Sequence, residues 1–209
     1  MNNLQKLLFK QVAKQKPFFF KKAFSNIFSW TELNQLLNNT PFINYSRFNV
    51  IGEEKKPIHE INEWQSDNTV IGPTQLSRYI KNNICFIQDC SRVNEKINKI
   101  AESLEYFSKQ ACDAHIFFSL KDSQEDTDGF GLHKDICNNF IIQVEGTTNF
   151  TVKDRFNIVL EPGDCVYVPL GVYHQAKSLE KRLSISFPMN PKHRVFQDRF
   201  WIDFLAFHL

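Results

Sequence analysis

The chain has 209 residues, of which 42% are hydrophobic and 23% charged, and its formal net charge is +2. That length and balance support one domain with a sizeable core, and so small a charge, with no basic run, argues against nucleic acid as the partner. No apolar stretch approaches the ~20 residues of a membrane span, and five cysteines with no C-x-x-C pair argue against a disulfide framework and for a reducing, cytoplasmic setting.

Leu4, Leu7, Leu8 and Val12 recur at helical spacing, which predicts a short amphipathic helix over 2–15, ended by Pro17. Six lysines precede the first acidic residue, Glu32. A surface helix accounts for them better than a transit peptide, which favours Arg and Ser. "PFFFKKAF" reads as a short strand. Ser29 is placed to cap a helix through Leu37, with Glu32 three residues on as in a capping box. Residues 40–72 carry Gly52, Pro57 and Gly72 and predict loops and edge strands. A helix over 74–82 and a buried strand over 84–89 follow. Val93, Ile97, Ile100, Leu104 and Phe107 predict one long amphipathic helix over 92–110.

Beyond Ala111 the pattern changes to short β-rich segments: "AHIFFSL", "FIIQVEG", "TNFTV", "FNIVL", "CVYVP" and "RLSISF". A polar loop over 121–129 and turns at Gly146, Asp154–Arg155 and Pro162–Gly163–Asp164 separate them. Short strands at this spacing predict a sandwich or barrel. The last stretch sets Phe196, Phe200, Trp201, Phe204 and Phe207 at helical spacing. It predicts a C-terminal helix suited to packing on the barrel or to forming a homodimer seam. The expected organisation is one domain over 1–209, with a helix-rich part over 1–111, a core barrel over 112–188 and the helix over 189–209.

Within "GFGLHKD" (129–135), His133 and Asp135 stand two residues apart. In a strand such residues share a face, so an imidazole nitrogen and a carboxylate oxygen can meet at one point. His174, directly after "VPLGVY", is the candidate third ligand. The span between Asp135 and His174 leaves room for about four short strands, enough to wind round a small barrel and return. Two histidines and one carboxylate on one face of an octahedron leave three positions open, the donor set of non-haem Fe(II) oxygenases. His59, His115, His193 and His208 show no ligand spacing and are read as structural. By strand alternation Asn139, Ile141 and Gln143 share one face, and Arg182, Ser184 and Ser186 share another. If interior, these polar groups need a polar ligand or water, or else satisfy one another and the backbone.

The runs "GFGLHKDICNNFIIQVEGTTNF", "LEPGDCVYVPLGVYHQA" and "RLSISF" resemble the JmjC/cupin-like Fe(II)- and 2-oxoglutarate-dependent oxygenases, most of all the ribosomal-oxygenase and asparaginyl-hydroxylase branch. The resemblance implies a mainly β fold with helical decoration, a double-stranded β-helix or jelly roll. It implies that His133, Asp135 and His174 are the iron ligands and catalytic residues, that 2-oxoglutarate is the co-substrate, and that a protein or peptide side chain is hydroxylated. It also turns Asn139 and Ser186 toward the co-substrate.

The chain departs from the family pattern at one place. The family carries Lys or Arg thirteen residues after the aspartate, to pair with the distal carboxylate of 2-oxoglutarate; this chain has Thr148 there. A hydroxyl brings no charge, and a charge-assisted hydrogen bond is roughly twice as strong as a neutral one. Arg182, on the face of Ser186, is the expected substitute, whereas Lys153 has the opposite parity to Thr148 and should point outward. Asp122, Glu125, Asp126 and Asp128, if at the barrel mouth, would favour a basic substrate. Two other classes stay open on the sequence. Thr148 favours a cupin-type metal protein that does not use 2-oxoglutarate. A non-catalytic interaction module is disfavoured by the intact His-Asp-His set.

Overall fold

Among the described residues, four helices form where the sequence predicts them: α1 (Asn3–Val12), α2 (Trp30–Leu37), α3 (Pro73–Asn82) and α4 (Glu95–Ser108). The computed structural model describes residues 3–39, 43–44, 46–51, 57–58, 70–120 and 129–190. Ser29 caps α2, accepting from the Glu32 N–H at 3.2 Å and donating to the Glu32 carboxylate at 2.8 Å. Asn94 caps α4 through the Ile97 N–H at 2.8 Å, which starts that helix a few residues later than its apolar pattern suggests.

The strands before residue 112 are β1 (Phe18–Phe20), β2 (Phe48–Ile51), β3 (Pro57–Ile58), β4 (Ile84–Ile87) and the start of β5 (Ala111–Cys112). After them come β6 (His115–Ser119), β7 (Asn138–Glu145), β8 (Thr148–Val152), β9 (Phe156–Leu160), β10 (Cys165–Val168), β11 (His174–Ser178) and β12 (Arg182–Asn190). The larger sheet runs β1-β10-β7-β12-β6-β4-β2-β3, with β5 also beside β12; the smaller runs β11-β8-β9. Strands from both halves of the chain therefore share one sheet. The pairings are antiparallel, and the architecture is the jelly roll with helical decoration that the sequence implies.

Alternation along the strands of the larger sheet divides its two faces. Phe140, Ile142, Ile185 and Phe187 point to one side and pack on Leu8 and Phe9 of α1 and Ile97 and Leu104 of α4. Phe140 is central there, its ring 5.5 Å from Phe9 and 5.8 Å from Phe24. The intervening residues of β7 and β12 face the smaller sheet, where Ile141 meets Phe150, Leu160, Val166 and Val168. The core thus lies on the helix side of the larger sheet, and the polar residues are left between the sheets.

Two local expectations change, and one strand forms where the sequence predicts none. β2 is buried throughout and lies inside the sheet between β4 and β3, because Phe48 and Val50 join the main core instead of edging it. β11 reads as polar in sequence, yet it pairs with β8 along its whole length. β12 runs to Asn190, into the stretch expected to be helical, because Met189 and Asn190 pair with Cys112 and Ala111. The rest of the expected C-terminal helix and the acidic residues of the loop lie outside the described residues. Among those described, no helix is long and apolar enough to cross a membrane.

Candidate metal centre

Two loops bring the predicted ligands together. Gly129 and Gly131 both adopt left-handed backbone angles, φ +51° and +71°, and turn the chain into His133. The His133 N–H donates to the His174 carbonyl at 3.0 Å, and the His174 N–H returns to the His133 carbonyl at 2.8 Å. This isolated antiparallel bridge sets the imidazoles side by side, with ring centroids 4.4 Å apart. Asp135 is not in a regular strand; its carbonyl accepts the Gly171 N–H at 2.9 Å, which fixes its backbone against the turn before β11. One bridge and one turn bond thus bring His133 and Asp135 to the same point, where the sequence had suggested strand alternation.

Asp135 Oδ1 lies 3.6 Å from His133 Nε2, and Asp135 Oδ2 lies 3.3 Å from His174 Nε2. Each of the three side chains offers one ligand atom, and these lie within 4.8 Å of one another. Both Nδ1 atoms face backbone carbonyls, His133 at Gly131 (2.9 Å) and His174 at Val172 (3.0 Å). A carbonyl only accepts, so in the neutral rings Nδ1 carries the hydrogen and Nε2 presents its lone pair to the shared point. Asn139 Nδ2 donates to Asp135 Oδ2, and Asn139 Oδ1 accepts from Ser186 Oγ at 3.2 Å. Asn139 and Ser186 thereby orient the carboxylate. Asn139→Ala is expected to weaken divalent-metal affinity about 10–100-fold in chelator competition, with the thermal midpoint little changed.

Burial alone would raise the Asp135 carboxyl, but the charges of His174 and His133 and the hydrogen bonds from His174 and Asn139 outweigh it and hold it at about 2. Burial likewise works to lower His174, yet the Asp135 carboxylate and the Val172 carbonyl raise it above its ordinary 6.5. A metal ion must displace the His174 proton. Metal affinity is therefore expected to fall as pH drops through the raised His174 value and to level off above it, which calorimetric titrations from about pH 6 to about pH 9 would measure.

The residues fit a divalent first-row metal. Bonds of about 2.0–2.2 Å put neighbouring ligands ~3 Å apart, close to the separations around Asp135. Two imidazoles and one carboxylate on one side are the donors that suit Fe(II) with positions left open.

A pocket opens beside this point, between the two sheets. Asn139, Ile141 and Gln143 of β7, Thr148 of β8, and Arg182, Ser184 and Ser186 of β12 all line it. Two of these polar groups satisfy each other: Thr148 Oγ1 donates to Gln143 Oε1 at 3.0 Å, and Gln143 Nε2 donates to the Glu145 and Gly146 carbonyls at 2.8 and 3.1 Å. Lys153 is exposed, its Nζ 5.5 Å from the Tyr173 ring centroid, as its parity requires. His115, read from sequence as structural, lines the same pocket. It is buried, opposite Ser186 in the β6–β12 ladder, and its Nε2 lies 3.4 Å from Asp113 Oδ2. Only that long-range pairing could have revealed it, since its spacing to the other histidines carries no signal. Phe117 and Phe130 complete an aromatic wall, with the Phe130 ring 5.5 Å from that of His133. His59, His193 and His208 lie outside the described residues.

A JmjC domain family model matches residues 148–195. The bifunctional lysine-specific demethylase and histidyl-hydroxylase NO66 of Aedes aegypti is 23% identical over 222 residues, covering 92% of this chain and 33% of the relative. The NO66 of Branchiostoma floridae is 37% identical over 79 residues, or 36% of this chain and 12% of the relative. Among solved structures, the Escherichia coli ribosomal oxygenase YcfD in complex with cobalt and 2-oxoglutarate aligns with a TM-score of 0.59 at 20% identity, over 86% of this chain and 49% of that one. YcfD with cobalt and succinic acid gives 0.59 at 21% identity, over 92% and 52%. The chain thus spans about a third of the length of the Aedes relative and about half that of YcfD. In its fold and in its carboxy-terminal barrel strands the chain is thus similar to JmjC-domain proteins.

Proposed function

We propose that the chain is a single JmjC/cupin-like domain acting as an Fe(II)- and 2-oxoglutarate-dependent oxygenase that hydroxylates a protein side chain. The observation that carries this reading is the meeting of His133 Nε2, His174 Nε2 and the Asp135 carboxylate at the wall of a buried pocket, with both imidazoles tautomerically set to ligate. The named relatives, a histidyl-hydroxylase and a ribosomal oxygenase, support a protein or peptide as substrate.

His133, Asp135 and His174 would hold iron from one side and leave the pocket side open. Iron would supply the redox chemistry, activating dioxygen with electrons from oxidative decarboxylation of 2-oxoglutarate to succinate and delivering one oxygen atom to the substrate. Asn139 and Ser186 keep the Asp135 carboxylate in its ligating orientation. Ile141, Phe117, Phe130 and Phe150 give the pocket apolar walls, and a substrate seated against them would exclude bulk water and strengthen the electrostatic contacts within it. The five unpaired cysteines suit the reducing cytoplasm, which we assign as its location. We assign no role to nucleic acid.

The test is anaerobic reconstitution with Fe(II), then addition of 2-oxoglutarate and oxygen, with succinate release and 2-oxoglutarate binding both measured. Iron-dependent succinate that is lost in His174→Ala supports the oxygenase. Stoichiometric metal with neither binding nor turnover would instead make this a cupin-type metal protein, and absence of metal binding would leave an interaction module.

A further inference from the structure

We propose that the outer face of the smaller sheet is a docking surface for an acidic segment of a protein partner. The proposal goes beyond the oxygenase reading and does not depend on the metal. Along β8, β9 and β11 every second residue turns inward, as Phe150, Leu160 and His174 do. The residues between them face outward.

Three lysines gather on that outward face. His133 pairs with His174, and the Lys153 N–H donates to the Tyr173 carbonyl at 2.9 Å. Lys134, Tyr173 and Lys153 therefore form one row across three neighbouring segments. Lys177 stands on the same face of β11, four residues from Tyr173 or ~13 Å along the strand. Lys134 and Lys153 both lie over the Tyr173 ring, with Nζ 5.6 and 5.5 Å from its centroid. Their ammonium groups are thus at most about 11 Å apart, close to the ~8–10 Å screening length at ordinary salt, and they repel. No Asp or Glu occurs within β8, β9, β11 or residues 132–134. Among the described residues none of the three lysines pairs with a carboxylate.

The face is also apolar in places. Leu132, Tyr173 and Val159 share it and are 52%, 43% and 46% exposed. Exposed apolar side chains among like charges that nothing offsets mark a surface built to be covered. A partner bringing carboxylates interspersed with apolar side chains complements both features. Phosphate would also be drawn to lysine, but these strands carry no arginine, and Tyr173 is their one exposed ring on which a base could stack. An acidic protein segment therefore fits the face better than nucleic acid. It would sit behind the metal centre, since Lys134 lies between His133 and Asp135 and Tyr173 precedes His174.

Fluorescence anisotropy of the full chain tests this with a fluorescein-labelled peptide of about eight alternating glutamate and leucine residues, ~26 Å when extended and so longer than the spread of the lysines. The same peptide with glutamine for glutamate is the neutral control. Wild type should bind the acidic peptide and not the neutral one, and its affinity should fall at least about threefold between about 50 and about 300 mM salt. A Lys153→Glu/Lys177→Glu double variant should lose at least about tenfold. A Lys10→Glu/Lys14→Glu variant makes the same change in net charge at exposed positions in and just after α1, on the helix side of the larger sheet, and should bind within about twofold of wild type. No binding of the acidic peptide by wild type, affinity indifferent to salt, or equal losses in the two double variants would overturn the docking surface. Tighter binding of a uridine octanucleotide than of the acidic peptide would overturn the choice of a protein partner.

Discussion

Asp135→Ala is expected to abolish stoichiometric divalent-metal binding, with a loss in affinity of more than about a hundredfold, since even the partners that merely orient ligands are worth 10–100-fold. Asp135 is the only anion of the three, and both of its oxygens face imidazole Nε2 atoms. Its removal does three things at once. The site loses a ligand and its negative charge, the Asn139 amide loses its acceptor, and His174 loses the carboxylate that opposes the effect of its burial. The main core lies on the other face of the larger sheet, so the metal-free variant should keep its fold. Metal analysis after gel filtration, paired with far-ultraviolet circular dichroism, makes the measurement. Retained stoichiometric metal in a folded Asp135→Ala protein would remove Asp135 from the site.

Gly146→Ala should be strongly destabilising while leaving the metal ligands intact. Gly146 has φ +67°, and an added Cβ would meet the Lys181 carbonyl oxygen at 1.9 Å and its carbon at 2.9 Å. Those atoms are backbone and cannot rotate away. Left-handed strain together with displacement of the β12 start is expected to cost about 3 kcal/mol or more. At about 2–4 °C per kcal/mol for a chain of this size, the thermal midpoint should drop by about 6–12 °C. Gly171→Ala is the control, because Gly171 also has a positive φ (+76°) but no atom within 4 Å of the new Cβ. It should lose only the strain, about 1–2 kcal/mol. Equal midpoints for the two variants would contradict the close approach of the β7–β8 turn to Arg182.

Much of this molecule could be read from local periodicity. Helical spacing located α1 and α4, and Ser29 with Glu32 marked the start of α2, because caps and apolar stripes are properties of short windows. Period-two alternation put Arg182, Ser184 and Ser186 on one face, and all three line one pocket. What could not be read depends on which strands become neighbours. His115 reaches the pocket only because β6 pairs with β12. β11 is too polar to declare itself a strand, and forms because β8 offers it a full ladder. β2 sits inside the sheet because β4 and β3 flank it, which nothing within 48–51 announces. The roles of the polar residues were equally non-local. Asn139 and Ser186, read as facing a ligand, hydrogen-bond toward Asp135, and Thr148 is occupied by Gln143. Both outcomes left open by the sequence occur together: some of the polar groups satisfy one another, and Arg182 Nε has no partner.

The most direct measurement is an anaerobic titration of the metal-free protein with Fe(II) and then 2-oxoglutarate, followed by visible absorption. A 2-oxo acid chelating iron through its keto and carboxylate oxygens gives a charge-transfer band that neither component gives alone. The band requires His133, Asp135 and His174 to hold the metal with adjacent positions free. It should appear at one iron per chain, saturate with 2-oxoglutarate and be absent from Asp135→Ala. Wild-type protein that binds no iron, or binds it and never develops the band, would contradict the account.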